Sequence, residues 1–154
     1  MYKRQATNRE HGIYVDIANN TRITNNVIWD NADWGVQVYP DAVSTTISHN
    51  IIWSFPGERG PIVVGGEAAP VTTGTLIDQN ILGGGNANLT VWWGGPTGTN
   101  NVVTAHNCLF GTIGGGAGLI VSAGVITTAP GFTDPARGDF SMPASSPCAA
   151  YAPA

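Results

Sequence analysis

Charge is scarce in this chain of 154 residues, because only 10% of them are Asp, Glu, Lys or Arg. Six are basic, against ten that are acidic, so the sequence argues against a nucleic-acid partner, which requires a clustered basic surface. It also argues against disorder, since 42% of the residues are hydrophobic and the net charge is only −4. The composition is therefore that of one folded domain of ordinary size.

Long hydrophobic runs are absent too. No apolar run reaches about 18 residues, so we expect no membrane span. The first residues, Met1–Gln5, are polar and do not resemble a secretory signal. The only two cysteines, Cys108 and Cys148, permit one disulfide between a repeat and the C-terminal segment. Two unpaired, small apolar residues are the alternative.

Glycine is abundant, at 21 residues, and the chain repeats itself. Five short stretches align with a valine at the same place, and successive valines are 23, 26, 27 and 30 residues apart. The five valines are Val15, Val38, Val64, Val91 and Val121. Self-similarity at this period indicates a solenoid.

A second column follows the first in each repeat. It consists of Asn26, Asn50, Asn80 and Asn107, and we expect Ala129 at the equivalent place in the fifth repeat. Side-chain amides stacked in this way can bond to the coils on either side, as in the asparagine ladders of stacked strands. The two columns keep step, so each coil contains at least two strands in fixed register.

The local pattern is that of strands. Ile13, Val15 and Ile17 alternate with polar neighbours, which is a period of two, and no long stretch has helical spacing. We therefore predict an all-β fold, a right-handed single-stranded parallel β-helix of about five coils with a C-terminal cap. Residues 1–10 form a non-repeat remnant, 11–128 the coils and 129–154 the capping segment.

Both ends of such a solenoid need protection, because the last coil exposes apolar side chains and open strand edges. Phe132, Phe140 and Met142 are suitable plugs for the C-terminal end. The first coil has no comparable cap, so we expect self-association through the N-terminal end.

The repeats resemble right-handed parallel β-helix proteins of the pectin-lyase-like superfamily. The resemblance rests on the segment 25–31 leading into 35–38, and on the tail 130–140 with 146–148. It implies the C-terminal part of a secreted or cell-surface bacterial protein that handles polysaccharide. The same fold hosts enzymes and non-catalytic proteins, so it implies less about activity.

Members of this superfamily often bind sugar along the outer face of one parallel sheet. The outward positions of the first strand form two columns, which are Tyr14, Gln37, Val63, Thr90, Ile120 and Asp16, Tyr39, Gly65, Trp92, Ser122. Aromatic rings can stack on the apolar faces of sugars. We therefore take Tyr14, Gln37, Tyr39 and Trp92 as candidate substrate-binding residues. Packing of aromatics on strands is the alternative.

The sequence offers less support for catalytic residues than for sugar-binding residues. Hydrolysis requires two carboxylates roughly 5–10 Å apart, and Asp16 and Asp41 lie one coil apart. Elimination requires a base, and Arg59 lies in a loop that can reach a groove. The alternative for Asp41 is a structural aspartate in a turn, and the alternative for Arg59 is a solvated charge in a loop. Glu58 reads as a lone loop acid.

The remaining candidates indicate structure rather than chemistry. His49 and His106 precede ladder asparagines and read as solvent-facing bend residues. Trp29, Trp53 and Phe110 form an aromatic column that favours packing. The sequence contains no metal-ligand cluster and no phosphate loop, so we expect no metal and no cofactor.

These observations predict two alternative functions. The first is a secreted carbohydrate-active β-helix that binds polysaccharide and cleaves it by elimination or hydrolysis. The second is a non-catalytic β-helix that serves as a glycan-binding, adhesin or structural surface module.

Overall fold

The chain is a β-solenoid. A computed structural model describes residues 10–65, 71–85, 89–90, 98–114 and 118–154, with the side chains of 89–90 outside the description. In chain order the strands are β1 (Ile13–Val15), β2 (Arg22–Thr24), β3 (Val27–Trp29), β4 (Trp34–Val38), β5 (Thr46–Ser48), β6 (Ile51–Ser54), β7 (Gly60–Val64), β8 (Leu76–Asp78), β9 (Ile81–Gly84), β10 (Leu89–Thr90), β11 (Asn101–Val103), β12 (Cys108–Phe110) and β13 (Leu119–Val121). Two short 3₁₀ helices, Pro135–Arg137 and Ala149–Tyr151, follow, and these ranges contain no α-helix.

The strands form three parallel sheets. The first sheet has the order β1-β4-β7-β10, the second β13-β11-β8-β5-β2 and the third β12-β9-β6-β3. The chain visits the three sheets in turn and then returns to the first, one strand further along. Each turn thus lies against the next at the usual strand spacing of about 4.8 Å. The predicted parallel β-helix is confirmed.

The register confirms the valine column over the first three turns. Val15 pairs with Val38, and Val38 pairs with Val64. All three side chains are buried in the main core. Val91 lies outside the described residues.

The number of coils was predicted wrongly, because about three turns are complete rather than five. The fifth valine, Val121, does not continue the first sheet, since it pairs with Val103 of β11 in the second sheet. Ile126 then lies beside Cys108, which places Val125, and not Ala129, next to Asn107. An apolar triplet with period two fits the inner face of any of the three sheets, so alternation alone does not distinguish them.

Inward-facing aliphatic side chains from all three sheets fill the core. β-Branched residues dominate it, as expected for strands that are packed on a pleated surface. The inward columns are Val15, Val38 and Val64 of the first sheet, Ile23, Ile47, Ile77 and Val103 of the second, and Ile28, Ile52, Leu82 and Leu109 of the third.

The asparagine ladder lies at the bend between the second and third sheets. The backbone N–H and the side-chain Nδ2 of Asn26 both donate to Oδ1 of Asn50, at 3.0 Å each. Asn50 donates to Asn80 in the same way, and Asn80 to Asn107. The Nδ2 of Asn50 also donates to the carbonyl of Ile23 at 2.9 Å. The predicted column of four asparagines is confirmed.

The residue before each of the first three ladder asparagines has a left-handed backbone conformation. The φ angles are 57° at Asn25, 54° at His49 and 55° at Gln79. A left-handed residue turns the chain sharply, and short polar side chains tolerate it better than β-branched ones. His49 is therefore a bend residue, as predicted.

The C-terminal segment 129–154, here called the tail, covers the outer face of the third sheet. Phe132, Phe140 and Met142 pack against the outward-facing Ile51 and Ile81, so the expectation that they plug the end of the last coil is wrong. The outward positions of the third sheet are apolar, which makes them the surface with most to gain from being covered. Cys108 and Cys148 belong to the same cluster.

A disulfide joins Cys108 of β12 to Cys148 of the tail. Their Cα atoms are 5.6 Å apart, and the two residues are separated by 40 positions in sequence. This decides between the two readings that the sequence leaves open. The bridge fixes the end of the tail to the third sheet.

We predict that Asn50→Ala lowers the free energy of unfolding by about 3 kcal/mol, because it removes the oxygen that accepts from both the backbone N–H and the Nδ2 of Asn26, and also the side-chain bond to Oδ1 of Asn80. Asn26→Ala is the matched control at the end of the ladder, and it should cost about 1 kcal/mol. Urea titration measures both. Equal losses for the two variants would show that the ladder's interior bonds carry no special weight.

Candidate functional site

The predicted sugar-binding columns begin on the first sheet, but only part of this face is open. The register places Tyr14 beside Gln37 and Gln37 beside Val63. Tyr14 is 50% exposed, whereas Gln37 is 4% and Val63 1% exposed. A ligand can therefore reach Tyr14, while Gln37 does not lie on an open surface.

The second outward column is also partly covered. Tyr39 is half-buried and lies against Gly65. A Cβ atom added at Gly65 would be 2.9 Å from the Cβ of Tyr39 and 3.1 Å from the Cγ and Cδ2 atoms of its ring. Trp92 lies outside the described residues. Ile120 and Ser122 belong to β13 and its end, so they lie on the second sheet and not in these columns.

The two proposed catalytic carboxylates, Asp16 and Asp41, lie in different surroundings. Asp16 is exposed, and Asp41 is half-buried with a φ of 46°, which is typical of a turn aspartate. Among the described residues, neither carboxylate has a hydrogen bond or an ion pair.

Arg59 forms an ion pair with Asp33, which the sequence reasoning missed. Its Nε lies 2.9 Å from Oδ1 of Asp33, although without the angle of a good hydrogen bond. The two residues are neighbours because Trp34 pairs with Gly60 in the first sheet. The Asp33 carboxylate therefore holds the Arg59 guanidinium at this corner of the solenoid. Asp33 and Arg59 directly precede β4 and β7, so extending the alignment of these two repeats toward the N-terminus would have placed the two opposite charges side by side.

His11 lies on the other side of Asp33. The N–H of Trp34 donates to Nδ1 of His11 at 3.3 Å, which assigns the imidazole proton to Nε2. That Nε2 is 4.0 Å from Oδ2 of Asp33. Burial lowers the pKa of His11, an effect that Asp33 opposes and Arg59 reinforces. His11 is therefore neutral near pH 7.

Burial has the opposite effect on the pKa of Asp33. Desolvation raises the pKa of its carboxyl, and the charges of Arg59 and His11 act against that rise. The ion pair thus offsets part of the cost of burying the carboxylate. The cluster holds the start of β1, β4 and β7 together at one corner of the solenoid.

Glu58 is not the lone loop acid that the sequence indicated. The N–H of Phe55 donates to its Oε2 at 2.7 Å, and its carboxyl also hydrogen-bonds that of Asp30. Burial is the main reason that the pKa of Glu58 rises to about 7, and the negative charge of Asp30 adds to the rise. Burial and the neighbouring Asp30 therefore favour the protonated form of Glu58.

A groove of ≈ 850 Å³ opens beside this corner, between the first coil and the tail. Its lining combines apolar and aromatic walls with a polar rim, a combination found in binding pockets of this size. The first coil contributes His11, Trp29, Asp30 and Asn31, and the tail contributes Gly138, Phe140, Ser141 and the last residues 152–154. The ring of His11 also contacts that of Tyr14, at 5.4 Å between centroids. The groove is thus adjacent to the exposed tyrosine of the first sheet.

The aromatic column packs, as predicted. Trp53 stacks parallel to Phe110 at 6.0 Å, even though Gly83 lies between them in the sheet. A Cβ at Gly83 would come within 2.3 Å of the Trp53 ring, so glycine is required there. Trp29 and Trp53 contact Phe140 and Phe132 of the tail edge to face.

A second titratable cluster lies at the exposed end of the second sheet. Nδ1 of His106 is 3.2 Å from Oδ1 of Asp78, and the hydroxyl of Thr104 donates to the same oxygen. His106 is a solvent-facing residue, as predicted. Because Thr104 bonds to the aspartate and not to the imidazole, the three do not form a nucleophile–base pair. Nowhere in the described ranges do three His, Cys, Asp or Glu side chains gather as metal ligands would.

Comparisons of the chain with protein-family models, with curated proteins and with solved structures found no match. The described part of the chain also has no helix long and apolar enough to cross a membrane.

We predict that Glu58→Gln changes how stability depends on pH. The folded state raises the pKa of Glu58 from 4.5 to about 7, so its contribution is fully present below pH 4.5 and is lost as the pH rises to about 7. The variant should therefore gain about 1–2 kcal/mol relative to the parent between pH 4.5 and 8, after allowance for solvent screening.

Urea unfolding at several pH values checks this prediction, with Asp16→Asn as the control for loss of an exposed carboxylate. Parallel pH profiles for the parent and Glu58→Gln would contradict the raised pKa of Glu58.

Proposed function

We propose that this protein is a secreted β-helix of the pectin-lyase-like kind that binds polysaccharide. The observation that carries the proposal is the groove between the first coil and the tail, which joins the aromatic side chains of Trp29 and Phe140 to the polar rim of His11, Asp30 and Asn31. Sugars present apolar C–H faces and hydroxyl edges together, and a site of this mixed character suits both.

Each part of the groove matches a part of a sugar chain. The Asp30 carboxylate and the Asn31 amide can accept and donate hydrogen bonds to ring hydroxyls. Neutral His11 offers an Nε2–H donor on the same rim. The exposed ring of Tyr14, in contact with His11, extends the surface for a second sugar unit along the first sheet.

The disulfide supports secretion. Disulfides persist in oxidising surroundings outside the cytosol and are rare within it. The buried bridge between Cys108 and Cys148 is therefore in keeping with an extracellular protein.

Binding without cleavage is the function that the site favours. Arg59 is engaged by Asp33, and Asp16 and Asp41 have no hydrogen bond or ion pair among the described residues. The carboxyls of Asp30 and Glu58 are in direct contact, whereas the carboxyls of a glycosidase stand about 5–10 Å apart on either side of the bond.

Hydrolysis is the second candidate function. The observation in its favour is that Glu58 has a pKa of about 7, which suits a general acid, and that its partner Asp30 lines the groove. In this case the two carboxyls would have to separate, so that Glu58, which does not itself line the groove, could protonate the leaving oxygen while Asp30 activates water.

We predict that Asp30→Asn or Asn31→Ala weakens binding of the best ligand in a panel of neutral and uronic-acid oligosaccharides by about tenfold, since each removes one hydrogen-bonding group. Asp16→Asn, on the exposed face of the first sheet, is the control and should bind as the parent does. Isothermal titration calorimetry measures the affinities.

New reducing ends or unsaturated products in the same panel distinguish the two candidates. New reducing ends that form without unsaturated products and are lost in Glu58→Gln would establish hydrolysis, and tight binding without products would establish a binding module. Binding that Asp30→Asn and Asn31→Ala leave unchanged would remove the groove from the proposal.

A further inference from the structure

The tail, residues 129–154, is a separate unit laid on the solenoid. Every backbone hydrogen bond described for it joins two of its own residues, such as those from Thr133 to Ser141 and from Asp139 to Asp134. The side chain of Ser146 likewise donates to the carbonyl of Pro130, at 2.7 Å. The tail thus adds no strand to the third sheet that it covers.

Apolar packing attaches the tail to the solenoid. Phe140 contacts Trp29 with ring centroids 5.8 Å apart, and Phe132 contacts Trp53 at 5.1 Å. Gly138 lies against the Trp29 ring, where a Cβ would be 2.7 Å from the nearest ring atom. These contacts are close but nondirectional. The tail therefore packs on the third sheet without the backbone hydrogen bonds that join neighbouring coils.

Besides the backbone that continues from residue 128 into 129, the disulfide is the covalent tie between the tail and the coils. Cys108 is in β12, at the far end of the third sheet from β3, and Cys148 lies near the end of the tail. The bridge lies beside the start of the tail, since the sulfurs of Cys108 and Cys148 are 3.5 and 3.7 Å from the carbonyl oxygen of Thr128. The tail therefore extends to the first coil, where Gly138, Phe140 and Ser141 form one wall of the groove, and returns to the last coil at Cys148. The opposite wall belongs to the first coil.

We propose that the tail is a movable wall of the groove and that the disulfide between Cys108 and Cys148 is the latch that holds it closed. When the latch is reduced, the tail separates from the third sheet, the groove loses one wall, and the apolar side chains of Ile51 and Ile81 are uncovered. The inference concerns the groove itself and does not depend on which ligand occupies it.

A dithiol reductant supplies the chemistry that opens the latch. One thiolate attacks one sulfur of the bridge to give a mixed disulfide, and the second thiol of the reductant then displaces the other cysteine. The protein gains two electrons and two protons as thiols, and the reductant leaves as a cyclic disulfide. Both cysteines are fully buried, so attack requires a transient opening of the tail.

The test is amide hydrogen exchange of the full chain, followed by mass spectrometry, before and after reduction by dithiothreitol. Reduction should speed exchange in peptides from 130–154 by at least about tenfold and leave those from β4, β5 and β8 as slow as before, because the bridge restrains only the tail. Unchanged exchange in the tail would overturn the proposal, since packing alone would then hold it. Acceleration across the whole chain would also overturn it, because the bridge would then stabilise the entire fold.

The double variant Cys108→Ala/Cys148→Ala separates the latch from any side effect of the reductant, since it lacks both sulfurs and should behave as the reduced protein does. Treating this variant with dithiothreitol is the matched control and should change nothing. Binding of a hydrophobic fluorescent dye should rise in the variant as the third sheet is uncovered.

The outcome for the latch can be distinguished from that for glycan binding. If the protein binds no sugar, the difference in exchange between oxidised and reduced protein still tests the latch. If the oxidised and reduced proteins bind sugar equally well, the proposed function stands, but the disulfide does not control sugar binding.

Discussion

The fold depends on buried amide side chains that must be satisfied by their neighbours in adjacent turns. Asn50, Asn80 and Asn107 are fully buried, and each would be costly to bury without its partners. The backbone N–H and the Nδ2 of one asparagine converge on Oδ1 of the next, so a slip by a single residue would leave several polar groups unpaired at once. Hydrophobic packing supplies the driving force, but it is the ladder that specifies the register.

The position of the groove follows from this register. Because equivalent residues lie above one another, the corner between the third and first sheets brings Asp33 beside Arg59, with His11 one turn away. The loop after β6 brings Glu58 to Asp30 at the same corner. The tail then closes the groove from outside, because the apolar outer face of the third sheet gives it a place to pack.

Repetition made the fold predictable from the sequence, and its limits explain the errors. Columns such as the ladder repeat from coil to coil, so alignment of the chain with itself finds them. Val121 was misassigned because alternation reveals which face of a strand is buried but not which of three sheets the strand joins. Burial of Gln37, the partner of Arg59 and the path of the tail depend on contacts that occur only once, and a single sequence carries no periodic signal for them.

The most direct test of the central claim is a double-mutant cycle between Asn50 and Asn80, measured by urea unfolding of the two single alanine variants and the double variant. The ladder predicts a coupling of at least about 1 kcal/mol, because the two side chains share hydrogen bonds. Asn26 and Asn107, which share none with each other, provide the reference cycle and should be additive. Additive losses at Asn50 and Asn80 would contradict the view that the ladder specifies how the turns stack.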